Sequence, residues 1–214
     1  MVRLSSYDNL SYRPGRSRFW QALWFFLGLP LLRCVLIPSS SFRAALLRLF
    51  GAQIGRGAVI KPGLRVKYPW LFTAGDHCWL GEDAWIDNLA PVSLGANVCI
   101  SQGAYLCTGN HDWRDPAFRL SVLPIHLGEG SWVGARATVA PGVSLGVLAV
   151  AAMGSVVLHD IPAGEIHGGN PAAFRKHRLV LNPEINFGRN AFDSNPVENN
   201  TLQSAVAACQ PRIK

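Results

Sequence analysis

No Cys-x-x-Cys pair occurs among the five cysteines, Cys34, Cys78, Cys99, Cys107 and Cys209, and their number is odd. A zinc ribbon and a disulfide scaffold therefore lack support, and reduced thiols in a cytoplasm are the simplest expectation. A membrane-spanning run is missing as well. The N-terminal apolar stretch "ALWFFLGLPLL", residues 22–32, is interrupted by Gly28 and Pro30 and closed by Arg33, and it falls well short of the ~20 apolar residues that a bilayer core requires. Arg16 and Arg18 precede it and no small-residue cleavage motif follows promptly, so a secretory start is not expected. Also missing is a basic face with interleaved aromatics. The net charge is +7, yet the basic residues cluster at the two ends (Arg13, Arg16, Arg18 and Arg33; Arg175, Lys176 and Arg178, with His177 among them). The middle has no pattern suited to a nucleic-acid groove, and no nucleic-acid partner is expected.

What is present is glycine (21), proline (14) and an apolar fraction of 49%, with a mean hydropathy of +0.17. Many tight turns around one apolar interior would account for all of these. The chain reads as an N-terminal helical extension (1–50), a central repeat domain (51–172) with an excursion at 108–124, and a C-terminal segment (173–214). The apolar run 22–32 reads first as a helix packed on the domain or on a neighbouring subunit. Trp20, Trp24 and the flanking arginines support a second reading, an interfacial helix making peripheral membrane contact. "SFRAALLRLFG" reads as a further helix, capped near Ser40 or Ser41 and stopped at Gly51. From Asn182 onward the tail is polar and aperiodic, is expected to be mobile, and receives no role.

From residue 54 the hydrophobic spacing becomes six. Ile54, Ile60 and Val66 begin the series; Ala74, Leu80 and Ile86 continue it, then Leu94, Ile100 and Leu106. After a polar interruption come Leu127, Val133, Val139, Leu145, Ala151 and Val157. Glycine often follows the aliphatic residue (Gly55, Gly81, Gly95, Gly128, Gly134, Gly146), and a compact residue stands four positions on (Ala58, Ala84, Val98, Ala104, Ser131, Ala137, Val143, Ala149, Ser155). A period of six fits neither a 3.6-residue helix nor isolated hairpins. It fits short parallel strands, one per hexad, joined by glycine-tolerant turns, with three hexads forming a triangular coil of about 18 residues.

The interruption, "CTGNHDWRDPAF" at 107–118, raises the question of His111. By itself a lone histidine is more often solvated or hydrogen-bonded than catalytic, although a loop carried by a rigid stack suits a reactive side chain. Asp112 either orients the imidazole, the reading slightly favoured here, or caps the loop.

The hexads, with "DNLAPVSLGANVCISQGAYLCTGNHDWRDPAF" and "PIHLGEGSWVGARATVAPGVSLG", resemble the hexapeptide-repeat acyltransferases over roughly residues 50–172. The likeness is closest to the maltose and galactoside O-acetyltransferases and the colanic acid biosynthesis branch, which "SYDNLSYRPGRSRFWQALWF" also resembles. The resemblance implies an all-β, left-handed parallel β-helix assembled as a homotrimer. It implies transfer of acetyl from acetyl-CoA, as co-substrate and with no metal, to a sugar or glycoside hydroxyl. His111 would be the general base, since imidazole titrates near neutral pH and can take the hydroxyl proton. Ala135 would supply a backbone N–H to the oxyanion, and Asp87 and Asn88 match positions facing the acceptor and the histidine, against ordinary turn polarity as the alternative. Trp132, Gly134, Ala152, the turn with Asn170 and Pro171, and Lys176 match the coenzyme groove. There the chain departs from the pattern: Met153 replaces a usual alanine, Leu158 and His159 replace Thr-Lys, Ala173 replaces a basic residue of some relatives, and Val147 and Leu148 are apolar at an often polar turn. Two other readings are a non-catalytic β-helix scaffold or membrane-surface adaptor, which the departures favour, and a γ-type carbonic anhydrase. The last would need three converging histidines, and His77 and His111 fall on different coils.

Overall fold

The computed structural model describes residues 2–8 and 10–180; Cys209 and the tail from Asn182 lie outside the described residues. From Gln53 the backbone winds through three parallel sheets. The first face stacks Gln53–Ile54, Phe72–Ala74, Val92–Leu94, Ile125–Leu127 and Ser144–Leu145. The second stacks Val59–Ile60, Trp79–Leu80, Cys99–Ile100, Trp132–Val133, Val150–Ala151 and Glu165–Gly168, and ends in the antiparallel strand Ala173–His177. The third stacks Arg65–Val66, Trp85–Asp87, Tyr105–Cys107, Thr138–Val139 and Val156–Val157. Every aliphatic residue of the six-residue series is buried, and Leu80 stands under Ile100 in register as Val133 does under Ala151. Each coil therefore adds a layer of aliphatic side chains to one continuous core, and backbone hydrogen bonds join it to the next.

Two details differ from the sequence reading. Register partners in the first coils, such as Ile54 and Ala74, are twenty residues apart, and only those after the interruption, such as Leu127 and Leu145, are eighteen apart. The extra residues lie at the corner leaving the third face, where Ala74 stands eight positions after Val66 and Leu94 eight positions after Ile86. The glycines after the aliphatic residues, moreover, do not make the turn. A Cβ on Gly134 would sit 2.6 Å from the Met153 nitrogen and 2.8 Å from the Ala152 carbonyl carbon, so these glycines permit coil-on-coil approach. The turning residue stands two positions later with positive φ, as at Gly57 and even Leu148.

The N-terminal extension shares the core of the coils. Helical segments Arg18–Leu23 and Leu29–Arg33 are joined by a π turn, Trp24–Gly28. Trp24 is buried and donates its indole N–H to Val66 O at 3.0 Å. The helix Ser40–Leu49 is capped by Ser39, one residue earlier than expected, whose Oγ accepts from Phe42 N–H. Ser40 is instead tied to the Ile60 backbone through both its lone pair and its hydroxyl proton. Gly51 closes the helix at φ +95°. The buried Arg43 guanidinium donates to the carbonyls of Leu32, Cys34, Ile37 and Ser39, which stitches the helix Ser40–Leu49 to the segment Leu29–Arg33 and to the link between them.

Candidate functional site

The interruption leaves at the same third-face corner, where the first coils already carry two additional residues. Between Leu106 and Leu127 it is a β-hairpin arm, rather than an irregular loop. Gly109–His111 pairs antiparallel with Leu120–Val122, with His111 opposite Leu120. Thr108 anchors the base by donating both its N–H and its hydroxyl to Asp87 O, at 3.2 and 3.0 Å. Asp112 and Asp115 fold the tip. Asp112 Oδ1 accepts from Arg114 N–H at 3.0 Å and Asp115 Oδ1 from Ala117 N–H at 2.9 Å. The Arg114 backbone N–H is the chief cause holding the Asp112 carboxyl below the usual carboxylate range. Asp112 thus caps the arm, and another residue orients His111.

That residue is Phe118. Its φ of +51° turns its carbonyl toward the imidazole, and His111 Nδ1 lies 2.8 Å from Phe118 O. A carbonyl oxygen can only accept, so Nδ1 carries the proton and Nε2 keeps its lone pair. The Phe118 ring stacks on the imidazole at 4.4 Å and 3°. Tyr7 meets the imidazole edge-on, at 5.5 Å and 63°, on an N-terminal strap held by Arg3 N–H on Pro116 O and by Tyr12 OH on Leu89 O. Nothing in the spacing of the sequence identifies Tyr7 or Phe118. One is a hundred positions away and the other works chiefly through its backbone.

Asp87 faces outward from the third face. Lys67 Nζ lies 2.9 Å from its Oδ1, and Tyr105 donates its hydroxyl to Oδ2 at 3.0 Å. Burial, foremost, and the neighbouring Cys107 and Asp87 push the Tyr105 phenol far up, so it stays a donor. Asp87 lines a cavity of about 540 Å³ between the third face and the N-terminal helices. A second cavity, of about 690 Å³, lies between the strap, the corner 89–91 and the arm residues Arg119, Leu120 and Val122. Neither is lined by His111, so within one subunit Asp87 and His111 do not share either cavity. Asn88 is fully buried and its amide is engaged at both ends: Oδ1 accepts from Tyr68 N–H at 3.0 Å and Nδ2 donates to Tyr68 O at 2.7 Å.

Ala135 sits at the corner between the second and third faces. Its neighbours Gly134 and Arg136 donate to Ala151 O and Gln102 O, while its own N–H has no acceptor among the described residues. The same holds for Gln102 and Met153 in the adjoining coils, so the free N–H belongs to this corner in general. Gly134, Ala152, Met153 and Gly168 gather there; an added Cβ on Gly168 would lie 3.2 Å from Ala152 Cβ. Met153 is 78% exposed and Leu158 is exposed further along the third face. Trp132 projects from the second face and donates its indole N–H to Ser101 Oγ at 2.8 Å. Asn170 and Pro171 lie in the exposed turn whose flanks bond the Val156 backbone, and exposed Lys176 pairs with Ile166 at the end of the second sheet. Among the described residues no three His, Cys, Asp or Glu side chains converge as a metal site.

Comparison with known proteins follows the repeat. The family pattern "Hexapeptide repeat of succinyl-transferase" matches residues 73–107 and 124–159. The "Putative colanic acid biosynthesis acetyltransferase WcaF" of Escherichia coli K12 is 42% identical over 138 residues, which is 64% of this chain and 76% of that protein. Galactoside O-acetyltransferase of the same organism is 29% identical over 133 residues, 60% of this chain and 65% of that protein. A hexapeptide-repeat acetyltransferase of Vibrio cholerae, solved with acetyl coenzyme A, superposes with a TM-score of 0.70 at 21% identity. The superposition covers 84% of this chain and 97% of that one.

Proposed function

The chain belongs to the hexapeptide-repeat acetyltransferase family, and from that premise we propose that it moves acetyl from acetyl-CoA to a sugar hydroxyl of an exopolysaccharide building block, with His111 as the base. The observation that carries this reading is the Nδ1 contact with Phe118 O, which leaves Nε2, with no hydrogen-bond partner among the described residues, as the nitrogen that can take a proton on an arm projecting from the stack. A sugar hydroxyl gives its proton to Nε2 as its oxygen attacks the thioester carbonyl. The oxygen charge that develops is met by the free corner N–H of Ala135. When the C–S bond breaks, the imidazolium returns the proton to the departing thiolate, so the enzyme ends as it began.

Gly134, Ala152, Met153 and the turn at Asn170 and Pro171 would line the pantetheine path, with Trp132 beside it, Leu158 at its rim and Lys176 near the phosphates. Asp87, its direction set by Lys67 and Tyr105, would accept a hydrogen bond from the sugar, and Asn88 would support that corner through Tyr68. Because the cavity that Asp87 lines is not lined by His111, the reading includes a homotrimer whose cleft between subunits completes the site. The outward residues fit such packing: Ser93, His126 and Ser144 make the first face polar, whereas the exposed Trp79 and Trp132 make the second apolar. The reading also includes a cytoplasmic location with peripheral membrane contact through the N-terminal apolar segment; among the described residues no helix is long and apolar enough to cross a membrane.

The exposed Met153 and Leu158 favour one rival, a scaffold that has lost the coenzyme. Calorimetry separates the two. Acetyl-CoA binding between about 1 μM and 1 mM, the usual span of substrate constants, is expected of the transferase, and no binding by the wild type would support the scaffold.

A further inference from the structure

The helical extension presents two unlike faces. One carries Trp24 and Leu32 into the core. The other is apolar yet faces solvent: Phe19, Phe25, Phe26 and Leu27 on the helical segments, then Val35 and Leu36 just after them, are 53–86% exposed. Phe25 and Phe26 meet edge-on at 5.2 Å, and together they wall both the cavity beside Asp87 and a neighbouring one of about 800 Å³ that reaches Val35 and Leu36. Six large apolar side chains this exposed between residues 19 and 36 are more than scattered surface hydrophobicity.

Charge distinguishes what could cover them. Between Asp8 and Asp76 the chain has no acidic residue and ten basic ones, while the rest of the sequence carries ten basic residues against thirteen acidic. The positive excess thus lies in residues 9–75, which include the apolar face together with the buried Arg43 and the first coil. Arg13, Arg16 and Arg18 stand exposed before it and Arg33 stands exposed near its end. A protein partner would need a particular pattern of carboxylates facing these arginines. An anionic lipid surface needs only the sign, and it receives aromatic side chains at the depth of the headgroups while arginines stay among the phosphates.

We propose that this face docks on an anionic bilayer surface, with Phe19, Phe25, Phe26, Val35 and Leu36 entering the headgroup boundary and Arg16, Arg18 and Arg33 resting on lipid phosphates. The proposal specifies the lipid and the residues of the peripheral contact included in the transferase reading. The cavity that Asp87 lines would then open beside the lipid surface.

Flotation of the full chain with vesicles tests this without coenzyme or acceptor, so its outcome is independent of whether acetyl transfer occurs. Wild type should float with phosphatidylglycerol–phosphatidylcholine vesicles and not with phosphatidylcholine alone, and 0.5 M salt should release it, as Debye screening at that strength requires. Phe25→Ser/Phe26→Ser should weaken binding by about a hundred- to ten-thousandfold, the loss expected from withdrawing two aromatic side chains from an apolar phase. Arg18→Glu/Arg33→Glu should abolish the preference for phosphatidylglycerol. Both variants should keep the wild-type sedimentation coefficient and circular dichroism. Four results would each overturn the proposal: no flotation of wild type, equal flotation with neutral vesicles, undiminished flotation of both variants, or dissociation of the serine variant to a smaller species. The last would assign the face to a second copy of the chain.

Discussion

At the residue scale, the orientation of the His111 imidazole depends on its neighbour. Phe118 holds a positive φ that a bulky residue adopts at a cost of roughly 1 kcal/mol, and in return its carbonyl fixes the imidazole tautomer while its ring fixes the plane. Phe118→Gly retains the left-handed backbone and the carbonyl and removes only the ring. An aromatic pair contributes about 0.5–1.5 kcal/mol beyond its buried area, so kcat should fall by about two- to tenfold with little change in the KM for acetyl-CoA. Steady-state kinetics check this, and a loss as large as that of removing the imidazole would mean that the ring does more than hold it in plane.

At the element scale, the coils depend on contacts that no side chain makes. Gly134→Ala would drive a methyl group against the Met153 nitrogen and the Ala152 carbonyl carbon, both backbone atoms that cannot swing aside. Overpacking of that kind costs about 1–3 kcal/mol, and denaturant unfolding should show a lower midpoint. A wild-type midpoint would mean that the coils can separate locally. The same element shows how far the residue pattern could be read. Every aliphatic position that the period of six marked faces the core, because burial in a stacked coil leaves no freedom in which side chain points inward, but the period did not mark Leu64, Val92, Ile125 or Ile161, which are buried as well. It did not reveal why glycine follows those residues, since close approach involves the next coil, eighteen or twenty positions away. The polar run 108–124 announced an excursion. That the excursion is a hairpin capped by Asp112 and Asp115, with Phe118 placed to orient His111, depends on pairing between its two ends that no short-range pattern specifies. Nor does any short-range pattern show that the Asn88 amide spans the gap to Tyr68 in the adjoining coil.

At the scale of the whole molecule, a rigid triangular stack presents an arm, a polar face and an apolar face. In the proposed trimer, the arm of one subunit delivers His111 to a cleft that a second subunit closes. Sedimentation equilibrium should give three times the 23.3 kDa of the protomer, and a monomer that turned over substrate would require one chain to hold the complete site. The central claim is that His111 is the base for acetyl transfer, and the most direct measurement is turnover of acetyl-CoA with a sugar acceptor by wild type and His111→Ala, alongside their unfolding midpoints and acetyl-CoA affinities. Turnover should fall by about 10²- to 10⁴-fold with both other quantities unchanged. Undiminished turnover would contradict a catalytic role for His111, and loss of the fold or of coenzyme binding would make it a structural residue.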